Sequence, residues 1–184
     1  MTEPTKLPYV LTLWYKPRQT MQGLIENGAG HRLALVVAIF FGIVQAGRFD
    51  IANGEGSIGY YAVGSLAGLL GLYLFGWLLR NFGRWFGGQA TLHEVRVALG
   101  LGLAPWLFLF LALIVALGVG VEPSLNSYWF FFVGFLYGYV ILLLSLATAL
   151  RLSVLKTFLC LIVTFLVSLF PLTLLIQILA SVVH

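Results

Sequence analysis

Polar residues in this chain arrive in short clusters, and between the clusters apolar residues run almost unbroken. Five apolar segments result: Leu33 to Gly47, Ile58 to Leu79, Val97 to Val121, Tyr128 to Leu150 and Leu155 to Val183. Each stops at a charge, a Pro or the chain end: Arg48 and Asp50, Arg80, Glu122 and Pro123, then Arg151. The first four contain no Asp, Glu, Lys or Arg, and the fifth has only Lys156, at its second position. Four reach the ~20 residues that cover about 30 Å of hydrocarbon at 1.5 Å per residue. The first needs flanking residues to span, which extends it to residues 33–49. In lipid every backbone N–H and C=O must find a partner inside the protein, so these segments are expected to be helices. A membrane β-barrel would alternate over ~10-residue strands; "LFLFLALIVAL" is apolar on every face. The expected fold class is all-α: a polytopic membrane protein with a bundle of five transmembrane helices in residues 33–184. A cytoplasmic tail with a short interfacial helix, residues 1–32, precedes it.

Composition agrees. The 184 residues are 61% hydrophobic and 9% charged, with a mean hydropathy of +1.03. That is too little charge to cover a soluble domain. The net charge of +4 is sorted by loop. Lys6, Lys16, Arg18, Arg32, Arg80, Arg84, Arg96, Arg151 and Lys156 fall on one side of the five crossings, and Arg48 on the other. Cytoplasmic loops carry the Lys/Arg excess. The expected orientation is therefore N-terminus cytoplasmic and C-terminus extracytoplasmic, in the cell (inner) membrane. No clustered basic face points to nucleic acid. "VQAG" near Ala46 is a weak cleavage site, far behind a long polar leader, so the first span is expected to stay. The single cysteine, Cys160, sits among apolar neighbours and is expected to be inert.

The passage "GRWFGGQATLHEVRVALGLGLAPW", Gly83 to Trp106, is the most polar stretch of the interior. "TLHE" fits a capping box: Thr91 caps a helix and Glu94 reaches back to the Thr91 N–H. Glu94 there also suits the helix dipole. Gly83, Gly87 and Gly88 form the loop before it, with Trp85 and Phe86 as interfacial anchors. His93, Glu94 and Arg96 then lie in the first turn, at the cytoplasmic interface. Pro105 removes a backbone donor inside the following run. The expected course is an interfacial section, a kink and the crossing. Catalytic motifs fit poorly. A zinc-protease helix needs a second His four positions after the first, and position 97 is Val. No Lys-Ser/Thr step follows the glycines, so no phosphate loop is present. No metal set, cofactor motif or nucleophile–base pair is visible, and an enzyme is not expected.

Between helices in lipid, small and weakly polar faces carry association. The second span aligns Gly64, Gly68 and Gly71; the fourth aligns Gly134, Gly138, Ser145, Thr148 and Ala149; the fifth aligns Ser153, Thr157, Cys160, Thr164 and Ser168. These three faces are expected to turn inward and pack together. The rival reading is a polar permeation path. Gln45 and Gln177, long polar side chains within spans, each need a partner there. In the tail, "LWYKPRQTMQGLIENG" suits a short amphipathic helix with Pro17 in its first turn and Asn27-Gly28 at its end. Trp14 and Tyr15 are expected at headgroup depth. Arg18 belongs to the polar face.

Order and motif together make the chain resemble the Yip-one domain family, the Ypt-interacting-protein membrane proteins, and especially their short prokaryotic branch. The likeness rests on a tail motif at Trp14, Pro17 and Arg18, then two spans. Gly87-Gly88 follows, leading into "EVRVALGLGLAPW" with Ala98 and Pro105, and then two more spans. It covers roughly Trp14 to Leu179. The resemblance implies a five-span α-helical bundle. In eukaryotic relatives it implies binding of small Rab-type GTPases and roles in vesicle traffic and membrane shape. The Asp-Leu-Tyr-Gly-Pro motif of those relatives does not occur in this chain.

Two functions are in view. The first is a non-enzymatic membrane scaffold or adaptor acting through its cytoplasmic face. It would use Trp14, Pro17, Arg18, Arg84, Gly87, Gly88, Thr91, Glu94, Arg96 and Pro105 to bind a membrane or cytosolic protein, or to hold the binding surface. The alternative is a small channel or transporter for a small solute. Its path would follow the faces of spans four and five: Gly134, Gly138, Ser145, Thr148, Thr157, Thr164 and Gln177. No cofactor is expected. The bilayer is the expected partner throughout, and a homo-oligomer through one of the glycine faces is a further expectation.

Overall fold

The computed structural model describes residues 12–53, 58–120 and 124–183, with the side chains of 49, 50, 52, 53, 125, 126 and 171–183 left out. Glu3, Glu55 and Glu122 lie outside the described residues. The described residues form helices and connecting turns, with no strand. In chain order they are α1 (Pro17–Glu26), α2 (His31–Asn53), α3 (Ile58–Trp85), α4 (Leu92–Gly102), α5 (Ala104–Gly118), α6 (Leu125–Leu150) and α7 (Val154–Val183).

Four stretches are long and apolar enough to cross a bilayer: His31–Arg48, Ile58–Trp85, Leu92–Gly118 and Ser127–Leu150. In the fifth predicted segment the apolar part with described side chains is Val154–Phe170, 17 residues. Several helices outrun their apolar cores. α2 continues past Arg48, whose guanidinium folds back to donate to Gln45 Oε1 at 2.8 Å and lies 4.5 Å from the Phe110 ring centroid. A charge held this way need not end the helix. α3 likewise runs on through Arg80 and Arg84 to Trp85.

The centre of the bundle is α4, which packs against α2, α3 and α6. Val95 and every residue from Val97 to Gly102 are buried. Within the bundle this section is a buried helix, and small residues make it so. A Cβ on Gly100 would stand 2.7 Å from Ala34 Cβ, and one on Gly102 would stand 2.7 Å from Leu142 Cδ1. The helix is interrupted for one residue, Leu103, before α5 starts with Pro105 in its first turn. Leu103 still donates to Leu99 and Leu107 to Leu103, so the proline costs one local bond and the two helices follow on as one crossing.

The second-span glycines pack differently from the expectation. Gly64 and Gly68 press against α2, not against the fourth and fifth spans. A Cβ on Gly68 would stand 2.2 Å from the Ala38 carbonyl oxygen, and one on Gly42 would stand 2.0 Å from that of Gly64. Ala38, Gly42 and Ala46 recur every four residues, so α2 carries the matching small stripe. Gly71 touches nothing; with Gly42, Gly64 and Gly68 it lines an almost wholly apolar cavity of ≈ 880 Å³ beside α7.

Candidate functional site: the clasp at the polar end of the bundle

Three helices end at the polar pole in the same way. A left-handed residue stands just past the last turn of each: Gly28 (φ 59), Gly87 (φ 91) and Arg151 (φ 56). Each turn closes with paired bonds, such as Gly88 N–H to the Gly83 carbonyl at 2.8 Å and Leu152 N–H to the Ala147 carbonyl at 3.1 Å. This is the Schellman arrangement, which satisfies the last carbonyls of a helix. Glycine suits the left-handed position because it lacks Cβ; at the end of α6 an arginine takes it.

That arginine joins the two loops. Arg151 Nη2 donates to Glu94 Oε1 at 2.8 Å, and Nη1 donates to the Gln89 carbonyl at 3.0 Å. Gln89 N–H in turn donates to the Leu150 carbonyl at 3.3 Å. Glu94 has a second task in the capping box, accepting from Thr91 N–H at 2.6 Å while Thr91 Oγ1 accepts from Glu94 N–H at 3.3 Å. One carboxylate thus starts α4 and ties it to the end of α6. The Gly87-Gly88 step divides its work between two causes. Gly87 supplies the left-handed turn. Gly88 allows close approach, since a Cβ there would stand 2.9 Å from the Gly83 carbonyl oxygen and 3.0 Å from that of Leu150. Arg84 and Trp85 are exposed just before this turn, Trp85 at 78%.

Arg96 leaves α4 on another side. Its stem lies over Gly76, whose added Cβ would be 3.1 Å from Arg96 Cγ. Its guanidinium caps the Tyr73 ring at 4.0 Å. His31, which starts α2, packs at a tilt of 38° against His93 of α4 with ring centroids 4.8 Å apart.

The tail residues lie elsewhere. Trp14 stands against Phe108 at 5.7 Å and Tyr137 at 6.1 Å, and its carbonyl accepts from the Tyr137 hydroxyl. Phe108 is about 24 Å along the helical rise from Leu92, so Trp14 anchors against α5 and α6, well away from the clasp. Pro17 opens α1, and Arg18 is exposed. Thr20, Met21 and Leu24 are buried where α1 packs on α6.

The faces read as glue or path are largely filled. Gly138 receives the Trp106 indole, whose Nε1 donates to the Phe135 carbonyl at 3.0 Å. Gly134 receives Leu109. Thr148, Thr157 and Thr164 donate to carbonyls four residues back in their own helices, and Ser168 to one three residues back. Ser145 Oγ is buried with no partner among the described residues. Gln177 lies in α7, its side chain outside the described residues.

The sequence reading passed over Arg151, Gln89, Tyr73 and the His31–His93 pair. The two histidines are 62 positions apart, and the packing of α2 against α4 brings them together. No local signal marks Arg151 as a linking residue, because its position resembles any charge that ends a span.

No curated protein and no solved structure matches the chain. The Yip1 domain matches residues 11–175. That stretch takes in the tail anchor at Trp14, the glycine-paired α2 and α3, the Gly87-Gly88 clasp and most of α7, and by it the chain belongs to the Yip1 domain family of multi-pass membrane proteins.

Proposed function

We propose that this protein is a non-enzymatic scaffold or adaptor of the cell (inner) membrane, crossing it five times with the clasp on the cytoplasmic side. The distribution of cations supports the orientation: nine of ten Lys and Arg lie in the tail or near the helix ends that flank the Gly87-Gly88 and Arg151 turns. α7 provides the fifth crossing, with its 30 helical residues reaching about 45 Å.

One observation carries the adaptor reading. The loop between α3 and α4 is braced by Arg151, Glu94 and the close approach of Gly88, and the last turn of α3 that enters it holds Arg84 and Trp85 outward. Trp and Arg on a preorganised surface are the side chains that most often dominate protein–protein contacts, and bracing lowers the ordering cost of binding. The partner is a membrane or cytosolic protein that meets this loop. Engagement of the threonine hydroxyls by their own helices removes the polar lining a solute path would use.

The test is a photo-reactive amino acid at Trp85 in living cells. A discrete protein adduct, lost when Arg84→Ala is added, is the expected result. Adducts with lipid alone would refute the adaptor reading.

A further inference from the structure

One flank of the pole carries arginines from α3 and α4 together with the histidines that α2 and α4 bring face to face. α3 contributes Tyr73, Arg80 and Arg84, which share one face by the 100° step. α4 contributes His93 and Arg96 at i, i+3, and α2 contributes His31. Arg96 crosses Gly76 to reach Tyr73, so it lies on the same face of α3 as Arg80, one turn nearer the membrane centre. The Nε of Arg80, the Nε of Arg96 and the Nδ1 of His31 are buried with no hydrogen-bond partner among the described residues. The acid nearest in sequence, Glu94, is turned the other way and engaged with Arg151.

Charges of one sign gathered on partly buried stems repel one another, and each pays for desolvation unless an anion compensates. Tyr73 and Trp77 beside them are exposed, at 40% and 51%, on a helix apolar enough to cross the bilayer. The cluster therefore sits where a lipid-facing surface meets the polar pole, the level at which phospholipid phosphates lie. Arginine matches phosphate in charge and in fork geometry, and basic pockets between transmembrane helices suit anionic headgroups.

We propose that Arg96, Arg80, His31 and His93 form a site for the phosphate of an anionic phospholipid, whose acyl chains lie along the Tyr73–Trp77 face of α3. Tyr73 holds the Arg96 guanidinium at headgroup level, and Gly76 keeps its passage open. The site needs no particular orientation of the chain in the membrane and no partner protein, so it stands apart from the adaptor reading.

The test is native mass spectrometry of the full chain released from vesicles of phosphatidylglycerol and phosphatidylcholine with matched acyl chains. The expected result is one retained phosphatidylglycerol per chain, preferred over phosphatidylcholine. Arg96→Gln and Arg80→Gln should each lower that preference about fivefold, and Arg96→Lys should keep most of it. Arg18→Gln, an exposed cation elsewhere, should leave it unchanged. Arg80→Gln, on a different helix, guards against misfolding of the Arg96 variant. Equal retention of the two lipids, or unchanged preference in both glutamine variants, overturns the proposal. So does soluble glycerol phosphate binding as tightly as the lipid. A second copy or an acidic polypeptide retained in place of lipid, and lost in Arg96→Gln, also overturns it.

Discussion

Arg151 spends conformational energy to hold a position. A non-glycine residue in the left-handed region costs roughly 1 kcal/mol, and the other two helix ends here avoid that cost with glycine. The return is a pair of contacts, to Glu94 and to the Gln89 carbonyl, that tie this turn to residues 57 and 62 positions away in sequence. The side chain of Arg151 is 50% exposed and that of Glu94 13%, so solvent weakens the ion pair and it is worth at most about 1 kcal/mol. The strain and the pair are of similar size. Arg151→Gly should thus be nearly neutral in thermal unfolding in detergent, since it loses the pair and relieves the strain. Arg151→Ala loses the pair, keeps the strain, and should unfold at lower temperature than Arg151→Gly. If alanine proves the more stable, the left-handed turn is not what limits this position.

At the level of helices, the closest contact in the bundle is between α2 and α3, and it depends on missing side chains. Gly68 faces the Ala38 backbone; Gly71, three residues on, faces open space. The two glycines look alike in sequence and should respond oppositely. Gly68→Ala must push α2 and α3 apart, which costs on the order of 1–3 kcal/mol for an overpacked contact. Gly71→Ala meets nothing and gains helix propensity, up to about 1 kcal/mol. Thermal unfolding of the two variants side by side gives the answer, and equal destabilisation would contradict the α2–α3 interface. The helices themselves were legible, because each has an apolar run of the right length and a readable end. The Thr91–Glu94 box and the Asn27-Gly28 stop form as their residues dictate. The partner of each face was not legible. The span-two glycines were matched to the wrong neighbour because the small stripe of α2 (Ala38, Gly42, Ala46) hides in an otherwise bulky apolar run. The same difficulty hid the central place of α4: its charged first turn reads as a boundary, while the buried face that follows can be recognised only once α2 and α6 are beside it.

For the whole molecule, the number of crossings decides which compartment holds the C-terminus. Five crossings put His184 on the opposite side of the membrane from the tail; four put both on the same side. Reporter fusions after His184 and before Lys6 should report opposite sides, with the tail cytoplasmic. Two cytoplasmic reporters would remove α7 as a span and would return its buried stripe, Thr157, Cys160, Thr164 and Ser168, to a purely packing role at one end of the bundle. Sequence alone determined the solvent of this protein, the helical state of its backbone and the sorting of its charges. Those properties follow from local hydropathy and from the need of every peptide group for a partner in lipid. The tertiary structure decided which faces meet, that Arg151 clasps Glu94, and that His31, His93 and Arg96 come together on one flank. Those meetings depend on the relative placement of helices far apart in the chain, and no single helix encodes its neighbour.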